Sequence, residues 1–285
     1  MIYKRIILFY LFCVNYFFML AKSIRVFNTI RRKLIKPTSL TCIADCTATL
    51  DNKKLITLSP GGFKGFYMLG ICKYIKENYD LTDYVFSGAS AGAWNSLVLC
   101  FKGDIEEFKQ HVLDIDSQTM NNLNTIEYIL KSKIMCKYTE EDFDLDKLFI
   151  GTTVFEQLQL KTIVYTGFEN LDDAINCCIA SSHIPFITGN FKYRYRGLVS
   201  FDGGFSEYPY VNESVSNLHI SPSIWKSRKT VVEKLSAPNV QLSDFTTLFS
   251  NKEYNMNTLI QNGYTDAVYN KESLDGIFLE SNELK

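Results

Sequence analysis

Histidine is scarce in this chain, and the spacings that build metal sites are missing. His111, His183 and His219 are the only three in 285 residues. The eight cysteines (Cys13, Cys42, Cys46, Cys72, Cys100, Cys136, Cys177, Cys178) contain no Cys-x-x-Cys pair. Cys42 and Cys46 are close, but no second pair or His cluster completes a ligand set, so no metal is expected. If Cys13 left with a cleaved leader, seven cysteines would remain, an odd number that does not suit a full disulfide framework. Cys72, Cys100 and Cys178 fall on apolar helical faces, where buried free thiols are expected. Acid is absent from residues 1–40, which hold eight of the 30 basic residues, so residues 41–285 carry a net charge of -9. That body lacks the basic footprint of a nucleic-acid binder. Internal repeats and low-complexity tracts are absent too.

Long apolar runs are limited to one. Ile6 to Ala21 follows Lys4-Arg5, is broken only by Asn15, and spans 16 residues, short of the roughly 20 that a spanning helix needs. A signal peptide, a short transmembrane signal-anchor and an interfacial helix all fit. Lys22, Arg25 and Arg31-Arg32-Lys33 come next, a basic cluster suited to anionic headgroups. Residues 1–40 are therefore expected to associate the chain with a membrane.

Beyond Pro37 the sequence alternates strand-like and helix-like segments. Lys54 to Leu58 reads as a short buried strand, and Ser59-Pro60-Gly61-Gly62 as a turn. Met68, Ile71, Cys72 and Ile75 mark a helix by their spacing. Residues 84–87 read as a strand, and Trp94, Leu97, Val98 and Phe101 as the next helix. Asp104 and Glu107 suggest a capping box opening a helix with Ile105, Phe108, Val112 and Ile115 inward. Residues 118–158 are less regular, with Glu140-Glu141-Asp142 as a solvated loop. Lys161 to Thr166 is strand-like; Leu171, Ala174, Ile175 and Cys178 mark a helix. Leu198 to Phe201 and Leu218 to Ile220 are strand candidates. The tail from about residue 230 is polar and shows no motif. This alternation predicts an α/β fold, a mainly parallel sheet flanked by helices. The expected organisation is an N-terminal segment 1–40, a catalytic domain 41–230 and a C-terminal extension 231–285.

Three segments carry chemistry. Gly88-Ala89-Ser90-Ala91-Gly92 is a Gly-x-Ser-x-Gly pentapeptide between a strand and a helix, the context of a nucleophile elbow. Pro60-Gly61-Gly62-Phe63-Lys64-Gly65 is a Gly-rich turn opening a helix, where unpaired N–H groups can face an anion. Lys64 is not placed as in a Walker A loop, and the third glycine of a dinucleotide fingerprint is missing. Asp202-Gly203-Gly204 puts a carboxylate at a strand end. A serine hydroxyl needs activation to act as a nucleophile, and these segments offer a base and an oxyanion pocket.

Together they resemble the patatin-like phospholipase family of lipid acyl hydrolases. That family has a Gly-rich loop with Lys or Arg before its last glycine, then Gly-x-Ser-x-Gly, then Asp-Gly-Gly or Asp-Gly-Ala. A further family block is similar to Ala180-Ser181-Ser182-His183-Ile184-Pro185-Phe186. The resemblance covers residues 53–225. It implies a serine–aspartate dyad: Ser90 attacks the ester, Asp202 acts as base, and Gly61, Gly62 and Phe63 supply oxyanion donors. Gly65, Gly88, Gly92, Gly203 and Gly204 are the motif glycines. The family usually has glycine where Pro60 stands, and proline cannot donate. No metal or other cofactor is implied, and the partners are membrane lipids, phospholipid or neutral acylglycerol.

The histidines leave one rival. His111 suits a surface or cap role and His183 a structural one beside Pro185. His219 would complete a Ser90, Asp202, His219 order as in α/β hydrolases. A non-catalytic lipid-binding protein of the same fold, and a serine peptidase or acyltransferase, also remain open.

Overall fold

A computed structural model of the chain describes residues 41–42, 53–114, 123–157, 159–185, 187–206, 208–211, 216–226 and 255–279. The apolar and basic segment 1–40, and Ile115 of the expected third helix, lie outside the described residues. Among the described residues no helix is long and apolar enough to cross a membrane.

The elements run β1 (Thr41–Cys42), β2 (Lys54–Leu58), α1 (Gly65–Asn78), β3 (Tyr84–Gly88), α2 (Ala91–Cys100), α3 (Ile105–Val112) and α4 (Leu123–Met135). They continue with β4 (Leu148–Glu156), β5 (Gln159–Tyr165), α5 (Leu171–Ser181), β6 (Tyr193–Tyr195), β7 (Leu198–Phe201), β8 (Ser216–Ile220), α6 (Met256–Tyr269) and α7 (Lys271–Phe278). The expected α/β class holds: a mixed, mostly parallel sheet is flanked by helices. Strand order is β1-β5-β4-β3-β2-β8, with β7 joining β4 and β6 joining β7. β8, β2, β3 and β4 run parallel, whereas β5 and β7 are antiparallel to β4.

Side chains alternate across the sheet as the pleat requires. Ile56, Leu58, Phe86, Ile150 and Tyr165 face the large core that the helices cover. Leu55, Val85, Phe149 and Val164 face a smaller cluster closed by Val211. All five residues of β3 are buried, which is why its sequence is apolar without alternation.

One feature of the register creates the site. β5 occupies one edge of β4. The other edge is shared: β3 pairs with it through Phe86–Gly88 against Leu148–Ile150, and β7 through Phe201–Val199 against Thr153–Phe155. Because β3 and β7 point at each other, their C-terminal ends meet opposite Gly151 and Thr152. The chain turns away at both ends, and Ser90 and Asp202 follow directly.

Two sequence expectations need correction. Of the stretch read as irregular, the described residues 123–157 supply α4 and the central strand β4. β4 is buried over its first seven residues, so no alternation betrays it. Phe101 lies just past α2 and bridges Phe143 instead of extending the helix. Within the C-terminal extension, residues 255–279 form α6 and α7, packed against α1. A β-carbon at Gly263 would lie 1.9 Å from the Tyr67 carbonyl oxygen, and one at Gly70 2.0 Å from that of Ile260. Such contact requires glycine on both helices. Asp266 accepts from Tyr67 at 2.5 Å, and Asp275 from Tyr79 at 2.8 Å.

Candidate active site

Ser90 sits at the tip of the turn between β3 and α2 with φ 55° and ψ -125°. A non-glycine residue in this region carries strain of roughly 1–3 kcal/mol and needs support from its surroundings. Support comes from two directions. Gly88 and Gly92 let the turn close, since a β-carbon at Gly92 would stand 2.1 Å from the Leu58 carbonyl oxygen and one at Gly88 2.2 Å from that of Gly92. From above, Ser181 at the end of α5 accepts a hydrogen bond from the Ser90 N–H at 2.8 Å and donates to the Gly151 carbonyl at 2.7 Å. Ser181 is fully buried. It ties the strained turn to the gap in β4.

The Ser90 Oγ donates to Asp202 Oδ2 at 2.5 Å. Both residues are buried, at 6% and 4% exposure. Asp202 follows β7 directly, its N–H donating to the His183 carbonyl at 2.8 Å and its Oδ1 accepting from the Gly204 N–H at 2.6 Å. Burial pushes its carboxyl up to about 6, against the pull of the Ser90 and Gly204 hydrogen bonds. Asp202 is thus a stronger base than an exposed carboxylate and is still ionised near neutral pH. Gly203 and Gly204 follow Asp202 in a single turn of 3₁₀ helix. Neither has a positive φ. They are small because space is short: a β-carbon at Gly203 would lie 2.3 Å from the Gly151 carbonyl oxygen, and one at Gly204 2.8 Å from Asp202 Oδ1.

The Gly-rich turn lies beside this pair. Gly62 to Lys64 form one turn of 3₁₀ helix, with Gly62 at φ 52°, a left-handed position that favours glycine. N–H groups at such a start have no acceptor within the helix. Gly62 and Phe63 line the cavity that holds Ser90 and Asp202, as does Gly65 at the start of α1. Gly61 packs one residue back, within reach of Met68 and Pro222. Asn95 of α2 donates to the Gly65 and Ala91 carbonyls, both at 3.1 Å, and so holds the turn to the elbow.

The cavity has a volume of about 170 Å³. Its far wall is apolar, built by Leu97 and Val98 of α2, Ile105 and Phe108 of α3, and Leu130 and Ile134 of α4. That lining suits an apolar ligand. Among the described residues no group of three His, Cys, Asp or Glu is placed to hold a metal ion. Cys72, Cys100, Cys177 and Cys178 are free and buried, and Cys136 is free and exposed.

The histidines occupy other positions. His219 lies in β8 opposite Thr57, with Nδ1 2.9 Å from Thr57 Oγ1 and its ring edge-on to Tyr210. No imidazole is among the groups that shift the Asp202 carboxyl. His183 is buried against Tyr193 and holds Asp202 through its backbone. His111 in α3 approaches the Lys133 carbonyl at 2.9 Å.

Sequence reasoning quoted Ser181 and Ser182 only as part of a block and gave them no role. Ser182 accepts from Trp94 Nε1 at 2.9 Å and donates to the Cys178 carbonyl at 2.6 Å. Glu127, on the cavity wall, was missed altogether. Its segment had no recognisable periodicity, and only burial singles it out.

Comparison with known proteins gives one family: residues 56–210 match the model for Patatin-like phospholipase. No curated protein matches the chain.

Proposed function

The chain belongs to the patatin-like phospholipase family, whose model covers more than half of its 285 residues, and from that premise we propose that it is a serine esterase hydrolysing acyl esters of glycerolipids through a Ser90–Asp202 dyad. The family is one of lipid acyl hydrolases; the dyad, the phospholipase A type of cleavage and the role of each residue are our reading. The observation that carries it is the 2.5 Å hydrogen bond from Ser90 Oγ to Asp202 Oδ2 at the head of an apolar cavity.

In this reading the ester carbonyl lies beside Ser90, its chain along Leu97, Val98 and Phe108. Ser90 Oγ attacks the carbonyl carbon as its proton passes to Asp202. The tetrahedral oxyanion accepts hydrogen bonds from the N–H groups of Gly62 and Phe63, with Gly61 behind them. One such donor is worth roughly 100- to 1,000-fold in rate. The oxyanion collapses, the C–O bond breaks, and the leaving alcohol takes the proton from Asp202. Water then attacks the acyl-enzyme, gives its proton to Asp202, and the fatty acid departs as Ser90 recovers its hydrogen. His219 takes no part in this reading, which its place opposite Thr57 in β8, with Nδ1 2.9 Å from Thr57 Oγ1, supports.

Incubation with a fluorophosphonate and peptide mass spectrometry tests the assignment. The reading expects one adduct, on Ser90, and loss of fatty-acid release from mixed lipid vesicles in step with labelling. Fatty-acid release that persists at full labelling would overturn it. Residues 1–40 would deliver the enzyme to its lipid. A chain of residues 41–285 should then float with liposomes less than the full-length protein, and equal flotation would remove that role.

A further inference from the structure

Glu127 is a buried acid of the cavity that the reaction above does not use. It lies on α4, is 6% exposed, and lines the same cavity as Ser90 and Asp202. Its Oε2 is buried without a hydrogen-bond partner. A buried, unpaired carboxyl oxygen is costly, so its presence in an apolar wall calls for a reason.

The groups facing it supply no counter-charge. From α5 and its end come the Cys178 thiol and the Ser182 hydroxyl, from β6 the Tyr193 phenol, and from the end of β7 the Asp202 carboxylate. Ser182, which hydrogen-bonds the Glu127 carboxyl, also donates to the Cys178 carbonyl at 2.6 Å and accepts from Trp94. Lys131, one turn further along α4, is turned to Asp172 and Asn176 on α5, at 2.6 and 2.7 Å. Burial, reinforced by the charge on Asp202 and only partly offset by a hydrogen bond with Ser182, pushes the Glu127 carboxyl up to about 8. At neutral pH it is an uncharged acid on the wall of the cavity where the ester sits.

We propose that Glu127 is a specificity-determining hydrogen-bond donor of this pocket, selecting uncharged esters that carry a second acceptor oxygen, a hydroxyl or carbonyl, near the scissile carbonyl. This rests on the Ser90–Asp202 reading. A substrate that offers such an oxygen adds a partner to a carboxyl whose Oε2 the folded chain leaves unpaired; a plain hydrocarbon ester adds none. The oxygen has two possible sources, the glycerol part of the lipid or a hydroxylated acyl chain.

The test uses the full-length protein and three esters of one chain length in mixed micelles: a simple alkyl ester, a monoacylglycerol, and the alkyl ester of a hydroxylated acid. Wild type, Glu127→Gln and Glu127→Leu are compared by kcat/KM, each normalised to the fraction of Ser90 that a fluorophosphonate labels. Wild type should favour at least one oxygen-bearing ester over the simple one by roughly 10- to 100-fold, the range expected for satisfying a buried polar group. The ester that responds identifies the source. Glu127→Leu should bring the ratio to about one. Glu127→Gln keeps an N–H donor and should retain the preference, without the decline that wild type shows as pH rises through about 8. A preference undiminished in Glu127→Leu, or a wild-type ratio of about one for both oxygen-bearing esters, overturns the proposal. If Ser90 is not labelled in wild type, the dyad reading falls and takes this one with it, whereas normal labelling with no ester preference sinks this inference alone.

Discussion

Replacing Ser181 by alanine tests the architecture of the site without touching the reacting atoms. Its hydroxyl accepts from the Ser90 N–H at 2.8 Å and donates to the Gly151 carbonyl at 2.7 Å, in a place no water reaches. Alanine leaves the N–H without its acceptor and removes a donor from the carbonyl. A buried unsatisfied group costs roughly 1–3 kcal/mol, and a lost ordinary hydrogen bond about 1 kcal/mol. The expected loss of stability is therefore about 2–4 kcal/mol. Activity should fall further than folding does, because the lost bond is one that holds Ser90 at φ 55°. A displacement on the order of 1 Å at a nucleophile costs roughly 100-fold in rate. Urea unfolding at pH 7 reads the first quantity. The rate constant for acylation, measured at a temperature where the variant is fully folded, reads the second. A variant within about 0.5 kcal/mol of wild type and with acylation within twofold would refute the reasoning, because the bridge would then carry neither stability nor position.

The remaining predictions follow from the tight packing and the two buried acids. Gly92→Ala should prevent folding or shift the elbow, since its β-carbon would fall 2.1 Å from the Leu58 carbonyl oxygen; wild-type thermal stability in this variant would contradict the packing. The acid limb of kcat/KM should rise tenfold per pH unit up to about 6, where Asp202 becomes the free base, and a limb centred near 4 would mean that burial does not act on the base. Stability should move the opposite way. Asp202 and Glu127 keep their protons when folded, up to about 6 and about 8, while the unfolded chain releases them near 4. The native state binds more protons in that window, so stability falls as pH rises, by about 1.4 kcal/mol per unit for each group. Glu127→Gln should flatten the part of this slope between pH 6 and 8 in thermal melts, and an unchanged slope would place the proton elsewhere.

Much of the fold was legible because strong local signals agreed with it. Lys54 to Leu58, Tyr84 to Gly88 and Leu171 to Ser181 show the expected apolar runs and helical spacing, and the structure has a strand, a strand and a helix there. β4 was hidden because a strand covered on both faces has no alternation to display, and Gly151, Thr152 and Thr153 dilute its apolar character. The β6–β7 hairpin was half seen: Leu198 to Phe201 was read, but Arg196-Gly197, both at positive φ in the turn, was not recognised as a hairpin signal. The last two helices carry a narrow apolar face, Ile260, Ala267, Leu274 and Phe278, that stands out only once α1 is there to receive it. The candidate site was read as three motifs in order. What brings them together is the shared edge of β4, a long-range pairing that no local pattern encodes. Glu127 is illegible for the same reason: a single acid in a helix is ordinary until its surroundings are known.

The central claim is that Ser90 and Asp202 act alone. Hydrolysis of one lipid ester by wild type, Ser90→Ala, Asp202→Asn and His219→Asn, each verified as folded, tests it directly. The account predicts that Ser90→Ala and Asp202→Asn both lose at least 1,000-fold in kcat, a magnitude of roughly 4 kcal/mol in the barrier, while His219→Asn stays within about tenfold of wild type. Activity retained in Asp202→Asn and abolished in His219→Asn would contradict it.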